Sequence, residues 1–322
     1  MILRVALFLG FVLLGCGGGG GEVAEPGDAT KDGLEDEYEV CGLRDIGSDE
    51  FDVAVEKETD AFQPDITEEQ GVHPFFKPWS NAFFDMPYPS DARRTDDGRL
   101  DLSDFPNPNE VPLLDELVRI VTSYVDGYSP NQVIYFAFSD EIATDSFASF
   151  SYLKGEAENP VQLIDVTTGA DFGVRVPILV RYIKEKGVYV PGSLLAIRPV
   201  WGVTLKEGHT YAALVTDGVT AKDKSALTKP KAFLSALDGT LTGHPRLVQS
   251  LKPISKLFEA ENGLRERTVI ATVFTVGHPR SDLIRIRDYL ETQGPPVLLD
   301  IELASTDSDS CVYEGHYLAP NF

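Results

Sequence analysis

The sequence predicts a mainly β chain with helical additions, in which a β-sandwich carrying a helical insertion follows an acidic tether. Three observations predict this. Residues 130–220 hold five short runs rich in β-branched and aromatic residues, each bounded by glycine, proline or a polar cluster, and five strands at that spacing suggest a sandwich. Residues 230–263 break the series with a helical pattern before a further strand-like run, Thr268 to Thr275. Residues 16–70 hold 18 acidic and 3 basic side chains and so carry −15 of the chain's net −23. With 322 residues, 43% hydrophobic and 25% charged, the chain can bury a sizeable core in about two domains, which excludes a wholly disordered protein. The acidic balance excludes nucleic acid as a partner, because neutralising phosphates requires a basic face. Three cysteines are too few for a disulfide scaffold.

Residues 1–15 read as a signal peptide. Arg4 is their one basic residue, and the apolar run from Val5 to Leu14 is too short to span roughly 30 Å of hydrocarbon as a helix. Leu13, Leu14, Gly15 and Cys16 resemble the bacterial lipobox, in which the cysteine thiol accepts a diacylglyceryl group and the residue becomes the new N-terminus. That resemblance implies lipidation at Cys16, acyl chains such as palmitate, and a protein anchored to the membrane of the bacterial cell envelope rather than spanning it. Gly17 after the cysteine is similar to the outer-membrane sorting pattern. An ordinary secretory signal with an incidental cysteine is the alternative.

The tether occupies residues 16–71. It opens on the glycine run Gly17 to Gly21 and continues with few apolar residues and no sustained period, as expected of an extended, self-repelling spacer. A sharper reading is a cation loop. Asp28, Thr30, Asp32, Gly33, Asp36 and Glu39 stand at places 1, 3, 5, 6, 9 and 12 of a twelve-residue stretch that resembles the EF-hand calcium loop, although Thr30 is a weak ligand and Glu35 holds a place that is usually apolar. Composition alone accounts for these carboxylates, so no metal site is assigned to them. Cys41 and Cys311 would be able to pair in an oxidising envelope, and their spacing decides nothing.

Residues 72–280 read as the sandwich domain. The stretch HPFFKPWSNAFFDMPYPSD, with Phe75, Phe76, Trp79, Phe83, Phe84 and Tyr88, is too rich in proline for a helix and fits an extended segment packed on the core better than a sugar or lipid platform. A turn at Asp97 and Gly98 and a brief strand near Leu100 follow. Glu110 to Val125 predicts a helix, with Leu113, Leu114, Leu117, Ile120 and Val121 as its apolar face. The strand runs are QVIYFAFS, VQLIDVTT, VRVPILVRYI, GVYVPGSLLAIRP and HTYAALVTDGVT. The insertion, about residues 230–263, is predicted to be helical and kinked at Pro253. Residues 281–322 form a last piece, with a helix from Ser281 to Thr292 stopped by Gly294 and Pro295, then a strand from Cys311.

Motifs of chemistry are missing. A Ser-His-acid hydrolase requires a nucleophile on a strained turn, usually GxSxG, and no GxSxG occurs. HExxH, CxxC, GxxxxGK[ST] and GxGxxG are missing too, so no catalytic residue, cofactor or cofactor-binding residue is assigned. The five histidines, His73, His209, His244, His278 and His316, read as surface or hydrogen-bonding residues.

Two sets of phrases carry a family resemblance. IRPVWGVTLKEGHTYAALVTDGV and TVIATVFT resemble the last strands of a bacterial Ig-like module. PYPSDARRTDDGRLDL, YSPNQVIYFAFSDEI, LLAIRPVWGVTLKEGHTYAALVTDGVTAKD and VIATVFTVGHP, in that order, resemble the N-terminal region of bacterial extracellular lipases and related α/β-hydrolase lipoproteins over Phe84 to Phe322. The resemblance implies an Ig-like β-sandwich placed before a catalytic domain, with CVYEGHYLAPNF as the strand leading into it. The family's nucleophile, acid and histidine have no matching positions here, so none is carried over. Two functions follow from it: a lipid-anchored, non-catalytic module that binds or presents an envelope partner or a hydrolase domain, or the front part of a secreted lipase or esterase whose chemistry lies beyond Phe322.

Cys16→Ala is expected to release the protein from the membrane fraction and to remove the acyl mass. A variant that stays in the membrane at unchanged mass overturns the anchor.

Overall fold

Proline and glycine positions decide where the strands begin. The computed structural model describes residues 69–151, 159–293, 295 and 297–318. The signal peptide, Cys16, Cys41, the stretch 28–39 and nearly all of the tether lie outside the described residues. In VRVPILVRYI the strand starts only at Ile178, one residue after a proline that has no N–H to donate. In GVYVPGSLLAIRP it starts at Leu194, past Pro191 and Gly192. The order is α1 (Pro112–Tyr124), β1 (Ile134–Ala137), β2 (Phe150–Ser151), β3 (Val161–Asp165), β4 (Ile178–Ile183), β5 (Leu194–Pro199) and β6 (Thr210–Thr216). It continues with α2 (Lys231–Leu237), α3 (Pro245–Ser250), α4 (Lys252–Ala260), α5 (Leu264–Arg267), β7 (Thr268–Thr275), α6 (Ser281–Gln293), β8 (Leu298–Thr306) and β9 (Cys311–Tyr317). Helix and strand take similar shares, 26% and 27%, so the expectation of a mainly β chain is corrected to a mixed one with small antiparallel sheets. The strands are shorter than the apolar runs that hold them, and the insertion supplies several helices.

The chain divides into two units between Asp282 and Leu283. The larger holds a four-stranded sheet ordered β1-β5-β4-β2 and a three-stranded sheet ordered β3-β6-β7, all antiparallel. Residues of both sheets share one core cluster, among them Phe136, Ile178, Leu195 and Ile197 with Leu163, Tyr211, Val273 and Phe274. β3, β6 and β7 are buried at nearly every position instead of every second one. Strands covered on both faces read as continuous apolar runs. Part of that cover is the insertion, whose Phe233, Ile254, Leu257 and Leu264 are fully buried in the same cluster, with α4 lying against β6.

The insertion is not one kinked helix. α3 ends and α4 starts at Leu251, and Pro253 lies in the first turn of α4, where a missing N–H costs nothing because that donor has no partner inside the helix. In α1 the core-facing side chains are Val118 and Val121, with Val125 just past the helix end. Leu113, Leu117, Ile120 and Tyr124 point out, at 68%, 49%, 39% and 78% exposure, which corrects the face expected from the sequence. The aromatic segment behaves as a packed edge. Phe76 and Phe83 are 4% exposed, Phe76 meets Phe233 edge to face at 5.4 Å, and Phe83 meets Phe105 at 5.2 Å.

The outer edge of β7 is closed by chain that precedes and follows it. Tyr128 donates its N–H to Thr275 O at 3.0 Å, and Gly277 donates to Tyr128 O at 2.9 Å. Thr272 Oγ1 donates to Pro89 O at 2.5 Å, and the buried Tyr128 hydroxyl donates to Ser90 O at 2.7 Å while accepting from Ser90 N at 3.2 Å. This crossing leaves no room at Gly127, where a Cβ would lie 2.6 Å from Gly277 N.

In the smaller unit, β8 and β9 form a two-stranded hairpin in which every β8 residue is exposed, Ile301 and Leu303 at 54% and 55%. β8 is an addition to the sequence reading, which places one strand there.

Gly127→Ala is expected to lower stability by about 1–3 kcal/mol, the usual cost of overpacking a close contact. A urea midpoint equal to that of the unaltered protein sinks the account of the crossing.

Candidate functional site

Each described histidine is held by a nearby acceptor or by its position at a helix start. His73 Nδ1 lies 3.0 Å from Gly71 O, His278 Nδ1 lies 2.8 Å from Asp126 Oδ2, and His316 stands 3.9 Å from Asp300. His244 is the residue before α3. His209 differs, because its partner is a buried carboxylate: Nδ1 lies 2.7 Å from Asp165 Oδ2, and the Asp165 side chain is 4% exposed. Among the described residues no serine or threonine hydroxyl is hydrogen-bonded to a histidine ring; the one serine contact, Ser139 Oγ at 3.0 Å, accepts from the backbone N–H of His73.

The Asp165–His209 pair is built by two strand ends. Asp165 closes β3, and its register partner Tyr211 stands at the start of β6, so the residue before that strand is brought beside the carboxylate. The loop after β3 folds back on Asp165. Thr167 N–H donates to Asp165 Oδ1 at 2.9 Å and Gly173 N–H donates to Asp165 O at 2.8 Å, with Gly169 and Gly173 at φ +134° and +78°, values that side chains oppose. That loop delivers Asp171. One ligand atom from each of Asp165, Asp171 and His209 lies within 4.8 Å of the others. The His209 ring stacks on Tyr211 at 6.4 Å. Burial pushes the pKa of the Tyr211 hydroxyl up to about 12. Lys206 N–H donates to that hydroxyl at 2.9 Å, and Lys206 Nζ donates to Asp171 Oδ1 at 2.7 Å, which holds the Asp171 carboxyl below the usual range. The cluster thus combines an imidazole of fixed orientation with two carboxylates, one rigid and one on a loop.

Two other features were weighed. A cleft of about 380 Å³ is lined by Ser90, Arg93, His244, Arg246, Met86 and Leu247. Arg93 is already committed there to Asp104, at 2.5 and 2.8 Å, with its guanidinium 4.5 Å over the Phe83 ring. Asp91 is a part-buried carboxylate. It accepts from Thr275 N at 2.9 Å and Thr275 Oγ1 at 2.6 Å, so its bonds hold the fold together. Burial outweighs those bonds and raises its carboxyl above the usual value.

Comparison with protein-family models, with characterised proteins and with solved structures finds no match to this chain. Among the described residues no helix is long and apolar enough to cross a membrane. The sequence reads His209 as a surface or hydrogen-bonding residue, and it is hydrogen-bonded, but nothing in that reading singles out Asp165 or Asp171. The nearest signal was the phrase DVTTGADFG, two aspartates on a glycine-rich return from a strand, and it says nothing of a histidine 44 residues further on.

Because the folded state holds the Asp91 proton more tightly than the unfolded chain, the stability it contributes is complete below about pH 4 and is lost as pH rises through the raised folded value. Asp91→Asn is expected to flatten the fall in melting temperature above pH 4 while its amide oxygen keeps the bond from Thr275 N–H and its Nδ2–H donates to Thr275 Oγ1 in place of accepting from it. An unchanged slope would remove Asp91 from the account.

Proposed function

We propose that the chain is a lipid-anchored envelope lipoprotein, held at the outer membrane through Cys16, whose folded part is an Ig-like module that binds or presents a protein partner without chemistry of its own. The observation that carries this reading is the stripe on α1. Leu113, Leu117, Ile120 and Tyr124 recur at helical spacing and all point away from the core, on a helix whose other side is packed through Val118 and Val121. A stripe of large apolar side chains turned to water on an otherwise well-packed unit is characteristic of an interaction surface. The Ig-like assignment is supported by two antiparallel sheets of four and three strands with a common core.

A second reading, the front part of a secreted lipase or esterase, is favoured by the β8–β9 hairpin. Two strands with both faces in water are marginal by themselves, so the hairpin fits a sheet that continues into a further domain.

A photo-crosslinking residue at Leu117 is expected to give a discrete adduct in intact cells, and one at the exposed Lys186 none. Equal labelling from both positions rejects the stripe as the surface. The intact mass of the native protein, read together with hydrolysis of short-chain esters, separates the two functions. An added domain with esterase activity replaces the first reading by the second.

A further inference from the structure

Among the described residues, Asp165, Asp171 and His209 are the group whose ligand-type atoms converge within 4.8 Å. A zinc-class ion binds nitrogen and oxygen ligands at about 2.0–2.2 Å, which places neighbouring ligand atoms roughly 3.3–3.5 Å apart in a tetrahedral site. Two of the three are close to that already, since His209 Nδ1 and Asp165 Oδ2 are 2.7 Å apart and both residues are held from outside the cluster. Thr167 N–H fixes the other oxygen of Asp165, and stacking on Tyr211 fixes the plane of the imidazole. Supporting contacts of this kind set the orientation of metal ligands. The third member stands on a loop rather than on a strand. Asp171 sits between Gly169 and Gly173, and its present cation is Lys206, whose side chain is 58% exposed. Exposed pairs of that kind contribute little to stability, so a divalent ion displaces the lysine readily.

A purely structural Asp165–His209 pair has no use for a second carboxylate on a glycine-flanked loop. The donor set of one imidazole and two carboxylates suits zinc or a neighbouring transition ion, whereas calcium and magnesium favour oxygen throughout. His209 and Asp171 are each partly open to solvent, at 24% and 36%, which gives an ion a way in and leaves a coordination position for water.

We propose that Asp165, His209 and Asp171 form a site for a divalent transition ion of the zinc class. Asp165 and His209 are the fixed ligands, and Asp171 leaves Lys206 to close the site. In the bound state the Nδ1 lone pair faces the ion and the ring N–H is at Nε2. This site is separate from the α1 stripe and does not depend on the function proposed above.

The test is calorimetric titration of the purified protein with zinc, repeated with calcium, on the unaltered chain and on His209→Ala and Asp171→Asn. One saturable zinc site is expected, weakened at least tenfold in each variant and not competed by calcium. Should His209→Ala lose its fold because Asp165 is left unpaired, Asp171→Asn, on a surface loop, carries the test alone. No saturable zinc binding, or binding equal in the unaltered protein and Asp171→Asn, overturns the site. Calcium binding as tightly as zinc overturns the assignment of ion class.

Discussion

The exposed edge of β7 is the constraint on which the larger unit depends. β7 is the last strand of a three-stranded sheet, and an edge strand buried at nearly every position must have its backbone and hydroxyl groups satisfied without water. The segment around Pro89, Ser90 and Asp91, with the stretch at Tyr128, meets that need by crossing the edge and bonding to Thr272 and Thr275. The proline-rich aromatic stretch therefore does two things: its rings fill the core margin, and its backbone closes a sheet. The contact between Gly127 and Gly277 marks how closely the two chains pass.

The same end of the sheet carries a continuous row of polar bonds. Asp91 accepts from Thr275, whose hydroxyl lies 2.9 Å from that of Thr210. Thr210 N–H donates to Thr167 Oγ1, and Thr167 N–H donates to Asp165, which holds His209. The edge closure and the carboxylate–imidazole cluster are thus two ends of one network, one anchored by the part-buried Asp91 and the other by the buried Asp165. Networks of this kind are rigid when every member is satisfied, and rigidity at strand ends lets a loop such as that bearing Asp171 adjust beside fixed neighbours.

The insertion explains a second property. By covering a face of the three-stranded sheet, α2 to α5 turn its strands into continuous apolar runs and leave little free surface there. Exposed large apolar side chains are found on α1 and at Val188 and Trp201 in the larger unit, and on α6 and the β8–β9 hairpin in the smaller one.

Local order was legible in the sequence. The run Thr268 to Thr275 is the strand β7 residue for residue, the helices near residues 112–124 and 281–293 stand within two residues of their periodic signals, and proline placement accounts for the shortened strands. These features depend on backbone geometry and on neighbours a few residues away. Others were decided by the tertiary structure alone. Which side of α1 faces inward depends on what packs against it, because the helix has apolar residues on two sides and its own period cannot choose between them. β8 was missed because its alternation serves no buried face. The pairing of Asp165 with His209 joins residues that become neighbours only through the register of β3 with β6, and a register is set by the sum of core contacts along both strands rather than by either residue.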